Sequence, residues 1–85
     1  MKTVTPLQAD LLRRIAESEY STCNGRVPET LAEVGQIWAN TVIEDNEDKG
    51  TFTSLLHAGL ANHYGHGEDS VLELTPAGFA AYKSL

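Results

Sequence analysis

Three histidines (His57, His63 and His66) and a single cysteine (Cys23) are the side chains of this 85-residue chain best suited to holding a soft metal. Neutral imidazole and thiolate are the usual zinc ligands, but structural zinc sites combine two closely spaced ligand pairs, and these residues follow no such pattern. The acidic run Glu44-Asp45-Asn46-Glu47-Asp48 raises calcium instead. Counted from Asp45, the fifth position of a calcium loop falls on Lys49, a cation where an oxygen is needed, and the twelfth on Leu56 in place of a bidentate glutamate. No metal and no other cofactor is therefore expected.

Covalent chemistry finds no better footing. The chain has no glycine-serine elbow, HExxH pair, phosphate-binding P-loop or dinucleotide fingerprint, and Gly65-His66-Gly67 fits a turn. Cys23 sits among Ser21, Thr22, Asn24 and Gly25, with no basic neighbour in sequence to lower its thiol pKa, so it reads as a loop thiol. Carboxylates are plentiful, but a chain this short has little room for a substrate cleft of several hundred cubic ångströms. The expectation is a binding protein and not an enzyme.

Twelve acidic residues against six basic ones give a formal charge of −6. Such a balance favours solubility and sets a repulsive background for nucleic acid. A lone cysteine allows no internal disulfide, the first residues lack the apolar stretch of a secretory signal, and no apolar run is long enough to cross a bilayer. A single cytoplasmic domain spanning residues 1–85, with no membrane partner, is expected.

The elements that must position any site follow from punctuation and periodicity. Thr5-Pro6 is a cap-plus-proline start, and Leu7, Leu11 and Ile15, widened by Leu12 and Ala16, predict a first helix over 6–19. On it Asp10 with Arg14, and Arg13 with Glu17, are one turn apart and predict an ion-paired face. Asn24-Gly25 predicts a turn, able to close a minimal hairpin between Cys23 and Val27. Leu31, Val34, Ile37 and Trp38 keep a helical period and predict a second helix with Trp38 as a core anchor. Its end is open, since Val42 and Ile43 fit either its continuation or a short strand.

Asp45 or Asn46 can cap a third helix over about 46–58, with Phe52, Leu55 and Leu56 inward. Gly59 and Leu60 then supply the signature of a Schellman stop. Residues 60–64 and 70–74 flank a glycine-containing turn and predict a hairpin, after which Thr75-Pro76 opens a final short helix carrying Phe79 and Tyr82. The fold class expected is α+β, mainly α: three helices, a β-hairpin and a short C-terminal helix.

Leu55-Leu56-His57-Ala58-Gly59-Leu60, the turn at 65–69 and Leu72-Glu73-Leu74-Thr75-Pro76-Ala77-Gly78 resemble the end of the recognition helix, the wing and the closing helix of MarR-type winged helix-turn-helix regulators. The resemblance covers about residues 46–82. It implies a winged helix-turn-helix whose third helix faces a ligand, and the helical wheel for 47–58, with Phe52, Leu55 and Leu56 on one side, leaves Glu47, Gly50, Thr51, Thr53, Ser54 and His57 on the exposed arc. Two departures stand out. Wings of that family usually carry arginine at the tip, whereas Glu68 and Asp69 stand there with no basic residue between Lys49 and Lys83, and the flanking dimerisation helices are short or absent.

Two ligands are therefore expected in turn. One is double-stranded DNA bound by a transcriptional regulator or accessory factor, with Thr51, Thr53, Ser54 and His57 reading bases or phosphates and Lys49 and Arg26 supplying phosphate contacts. Affinity for a duplex comes mainly from cations, for which Lys2, Arg13, Arg14, Arg26, Lys49 and Lys83 are the whole supply. The other is a basic protein, bound by Glu44, Asp45, Glu47, Asp48, Glu68 and Asp69, with this chain occupying a site that otherwise takes nucleic acid. A homodimer is open to such a module, although doubling the charge would hinder approach to DNA.

Overall fold

The computed structural model describes residues 4–18, 26–65 and 69–85. Lys2, Cys23, the turn expected at Asn24-Gly25, His66 and Glu68 lie outside them. Among the described residues the architecture is α+β, with four α-helices and one three-stranded antiparallel sheet.

Helix α1 (Pro6–Ala16) starts as its sequence dictates. The Thr5 hydroxyl accepts from the Gln8 backbone N–H at 3.1 Å, the Gln8 side chain accepts from the Thr5 N–H at 2.9 Å, and Pro6 occupies the first turn. Leu11, Leu12, Ile15 and Ala16 are buried, while Leu7, expected on the same stripe, is half-exposed.

The expected second helix is corrected. Only Leu31–Val34 forms α2, because Gly35 then takes a φ of 64°, a conformation that ends the helix and that side-chain-bearing residues rarely adopt. The chain turns extended as β1 (Ile37–Trp38) and closes a 3-10 turn at Ala39–Thr41. This strand has a two-residue side-chain period, so Ile37 goes inward and Trp38 outward. Trp38 is 51% exposed and is not a core anchor.

Helix α3 (Asn46–His57) is capped by Asp45, whose carboxylate accepts from the Asp48 N–H at 2.9 Å. It ends in the expected Schellman stop: Leu60 N–H donates to the Leu55 carbonyl, Gly59 N–H to that of Leu56, and Gly59 has a φ of 76°. Strands β2 (Ala61–Tyr64) and β3 (Val71–Leu74) pair antiparallel as a hairpin, and α4 (Pro76–Lys83) follows the Thr75 cap. The sheet order is β1-β3-β2, so β1 adds a third strand that periodicity alone had read as helix.

Ile37, Leu72, Leu74 and Ala61 face inward from the sheet and pack with Leu11, Leu12, Ile15, Val34 and Leu55. Truncating any such fully buried leucine or isoleucine to alanine costs about 2–5 kcal/mol. Gly78 is fixed by close packing, since a Cβ there would overlap the Leu60 carbonyl. Thr75 and Gly78 thus bring the start of α4 against the Gly59-Leu60 turn that follows α3. No helix among the described residues is long and apolar enough to cross a membrane.

Candidate interaction surface

Helix α3 is rooted in α1 by polar contacts that decide which of its side chains remain available. Arg14 Nη2 lies 2.7 Å from Asp48 Oδ1 and Nη1 lies 3.1 Å from Oδ2, a two-pronged pair. Arg14 Nη1 also donates to the Val42 carbonyl, and its Nε makes an ionic contact with Asp10 Oδ2 at 3.1 Å without a hydrogen bond. Asp48 accepts as well from the Glu44 N–H at 3.0 Å. The hydrogen bond from Arg14 and those from backbone N–H groups hold the Asp48 carboxyl down to about 2, and Asp48 in turn raises the pKa of the guanidinium.

Asp48 is thus buried structure, which removes it from the expected partner-binding acids. Arg14 likewise leaves the pool of cations. The expected ion pair of Asp10 with Arg14 forms, whereas Glu17 accepts from the Tyr82 hydroxyl at 2.7 Å instead of pairing with Arg13.

Two residues expected on the ligand-facing arc turn inward. Thr51 is buried, its hydroxyl donating to the Glu47 carbonyl at 2.9 Å. Ser54 donates to the Thr51 carbonyl and accepts from Gln8 Nε2 at 3.0 Å, bonding α3 to α1. The side chains that do remain outward on α3 are Asn46, Glu47, Lys49, Thr53 and His57, with Gly50 among them. Glu44, Asp45 and Asp69 are exposed, as is Arg26 in the segment before α2.

Beside this arc a groove of about 430 Å³ is lined by Asn40, Ile43, Lys49, Thr53, Leu56 and His63 among others. His63 shares the inward-facing row of Leu72 and meets the Phe52 ring edge-on, centroids 5.7 Å apart. A second groove, about 800 Å³, lies between the start of α1 and α4 and is lined mainly by Val4, Pro6, Ala9, Leu60, Ala77 and Ala80. The expectation that so short a chain has little room for a cleft is corrected by these volumes. The hydroxyls on the larger groove are engaged in capping, Thr5 with Gln8 N–H and Ser84 with the Ala80 carbonyl.

The outer face of the sheet carries Trp38, which its sequence spacing assigns to the core, beside residues to which the sequence reading gives no role. Register places Trp38, Val71 and Tyr64 in one row across β1, β3 and β2, with Trp38 51% and Tyr64 47% exposed. The next row holds Glu73 and Asn62. Glu73 Oε1 accepts from the Tyr64 hydroxyl at 2.7 Å and from Asn62 Nδ2 at 3.4 Å, and that carboxylate raises the tyrosine pKa. Gly35 was the available signal that Trp38 belongs to a strand.

Among the described residues no three His, Cys, Asp or Glu side chains converge as metal ligands would. No protein-family model, curated protein or solved structure matches the chain.

Proposed function

We propose that this chain is a winged-helix module that binds a macromolecule, and that its ligand is a basic protein. The sheet order β1-β3-β2, with α3 running directly into the β2–β3 hairpin and α4 behind it, supports the winged-helix reading. The observation that carries the choice of ligand is the capture of Arg14 by Asp48. That guanidinium on α1 is used internally and Lys83 Nζ on α4 donates to the Pro28 carbonyl at 3.0 Å, while on the exposed arc of α3 itself Lys49 is the one lysine or arginine, beside Glu44, Asp45 and Glu47. A duplex needs cations in number to displace its counterions, whereas a basic protein is drawn to the reverse arrangement.

Double-stranded DNA is the second reading, favoured by one observation: Lys49, Thr53 and His57 all stand outward on α3 beside the groove that holds Asn40 and His63. In it Lys49 and Arg26 touch phosphates and the chain acts as a regulator of transcription.

Polarisation titrations of a labelled lysine- and arginine-rich peptide and of a labelled random duplex, at low salt, separate the two. Peptide binding that weakens several-fold in Glu44→Gln/Asp45→Asn/Glu47→Gln and strengthens in Lys49→Glu, with no duplex binding at micromolar protein, is the expected result. Duplex binding abolished by Lys49→Glu would overturn the protein reading in favour of DNA.

A further inference from the structure

The outer row of the sheet fits one kind of chemical group. Neighbouring strands lie about 4.8 Å apart, so Trp38 and Tyr64, two strands apart with Val71 between them, stand roughly 10 Å from each other along the row. A cation above Val71 would stand one strand spacing, about 5 Å, from the backbone of each aromatic residue, between two side chains whose rings make cation–π contacts out to ~6 Å from the centroid. Glu73 lies in the adjacent row with its carboxylate already oriented: Oε1 is held by Tyr64 and Asn62, while Oε2 takes no partner among the described residues. The strands Ile37–Trp38, Ala61–Tyr64 and Val71–Leu74 carry no lysine or arginine, so nothing on the sheet neutralises that carboxylate.

We propose that this row is a slot for an arginine side chain of the protein partner, its guanidinium lying between the indole of Trp38 and the phenol ring of Tyr64 and donating to Glu73. Guanidinium is favoured over ammonium because it is planar, stacks on rings, sheds water at lower cost and presents several donors to a carboxylate. The inference rests on the protein-partner reading in taking the partner to be basic. It adds a place on the sheet, separate from the acids that precede and open α3.

Trp38 is the sole tryptophan, so its emission reports on the slot directly. The test titrates the whole chain with an arginine-rich peptide amide and with its lysine counterpart. Expected are a saturable change in Trp38 emission with the arginine peptide, at least several-fold weaker binding of the lysine peptide, and about tenfold loss of affinity in Tyr64→Ala and in Glu73→Gln, as charge-assisted and cation–π contacts of this kind imply. Labelled-peptide polarisation gives the same loss for Trp38→Ala, and circular dichroism confirms that each variant is folded. Glu44→Gln/Asp45→Asn/Glu47→Gln should retain the emission change.

Peptide binding that leaves Trp38 emission unmoved, or that survives Tyr64→Ala and Glu73→Gln, overturns the slot. If that binding is lost in the triple variant, the protein-partner reading stands without it. A Trp38 response to duplex DNA with none to either peptide would overturn both.

Discussion

Arg14 of α1 and Asp48 of α3 hold each other through both guanidinium terminal nitrogens and both carboxylate oxygens, at 2.7 and 3.1 Å. The contact spans 34 residues of sequence and joins the opening helix to the helix that precedes the hairpin. Its side chains are 34% and 12% exposed, so water reaches the guanidinium more readily than the carboxylate.

Acid should weaken the fold through this pair. The carboxyl of Asp48 titrates at about 2 in the folded chain against an ordinary 3.8. Between those values the unfolded chain binds the proton and the native chain does not, so the stability contributed by Asp48 is present above pH 4 and fades as pH falls toward 2. After allowance for solvent screening it amounts to on the order of 1–2 kcal/mol. Urea unfolding at neutral pH and near pH 3 should show this loss in the wild type, with a flatter dependence in Asp48→Asn.

Three glycines should respond to alanine in three different ways. At Gly78 the new Cβ would collide with the Leu60 backbone, which has no rotamer to yield, and a loss of roughly 2 kcal/mol or more is expected. At Gly59 there is open space but a φ of +76°, so the cost is conformational, about 1 kcal/mol. Gly50 is helical with nothing within 4 Å, and alanine there should stabilise by about 0.5–1 kcal/mol. Urea midpoints for the three variants give the order directly.

Thr75 should be worth more than an ordinary cap. Its hydroxyl oxygen accepts from the Gly78 N–H at 3.0 Å while its proton goes to the Gly59 carbonyl at 2.6 Å, tying the start of α4 to the stop after α3. Thr75→Ala should cost about 1–2 kcal/mol, and Thr75→Ser should recover most of it. A Thr75→Ala loss no larger than the ~1 kcal/mol of an ordinary cap would show that the second bond contributes nothing.

Trp38 should prove nearly dispensable for folding. Trp38→Ser removes an indole that is already half in water, so the change in stability should stay below about 1 kcal/mol, against about 2–5 kcal/mol for Leu72→Ala in the row behind. The wild-type emission maximum should also move little on unfolding.

Much of this architecture was written in local signals. Thr5-Pro6, Thr75-Pro76 and Gly59-Leu60 act through neighbours a few residues away, so their caps and stops are readable without knowledge of the rest. The segment from Leu31 to Trp38 was not, because Leu31, Val34 and Ile37 satisfy a helical period and are equally served by a short helix, a turn at Gly35 and a strand. What decided it was pairing with β3, more than thirty residues on.

The site was less legible than the fold for a related reason. Setting the arc of α3 opposite Phe52, Leu55 and Leu56 leaves Thr51 and Ser54 outward and Asp48 open to a partner, whereas α1 offers Gln8 to Ser54 and Arg14 to Asp48, and Thr51 turns back to the Glu47 carbonyl. Only Lys49, Thr53 and His57 of the α3 residues expected to meet DNA kept their outward position.

The shortness of β1 leaves its alignment with little redundancy. Two residues carry the whole register, so sliding that segment by a single place would drive an indole toward the interior and strand an isoleucine in solvent. The alignment therefore depends on Ile37 being apolar and well fitted. A polar replacement there would release the edge of the sheet and disperse the aromatic row before the helices lost their packing.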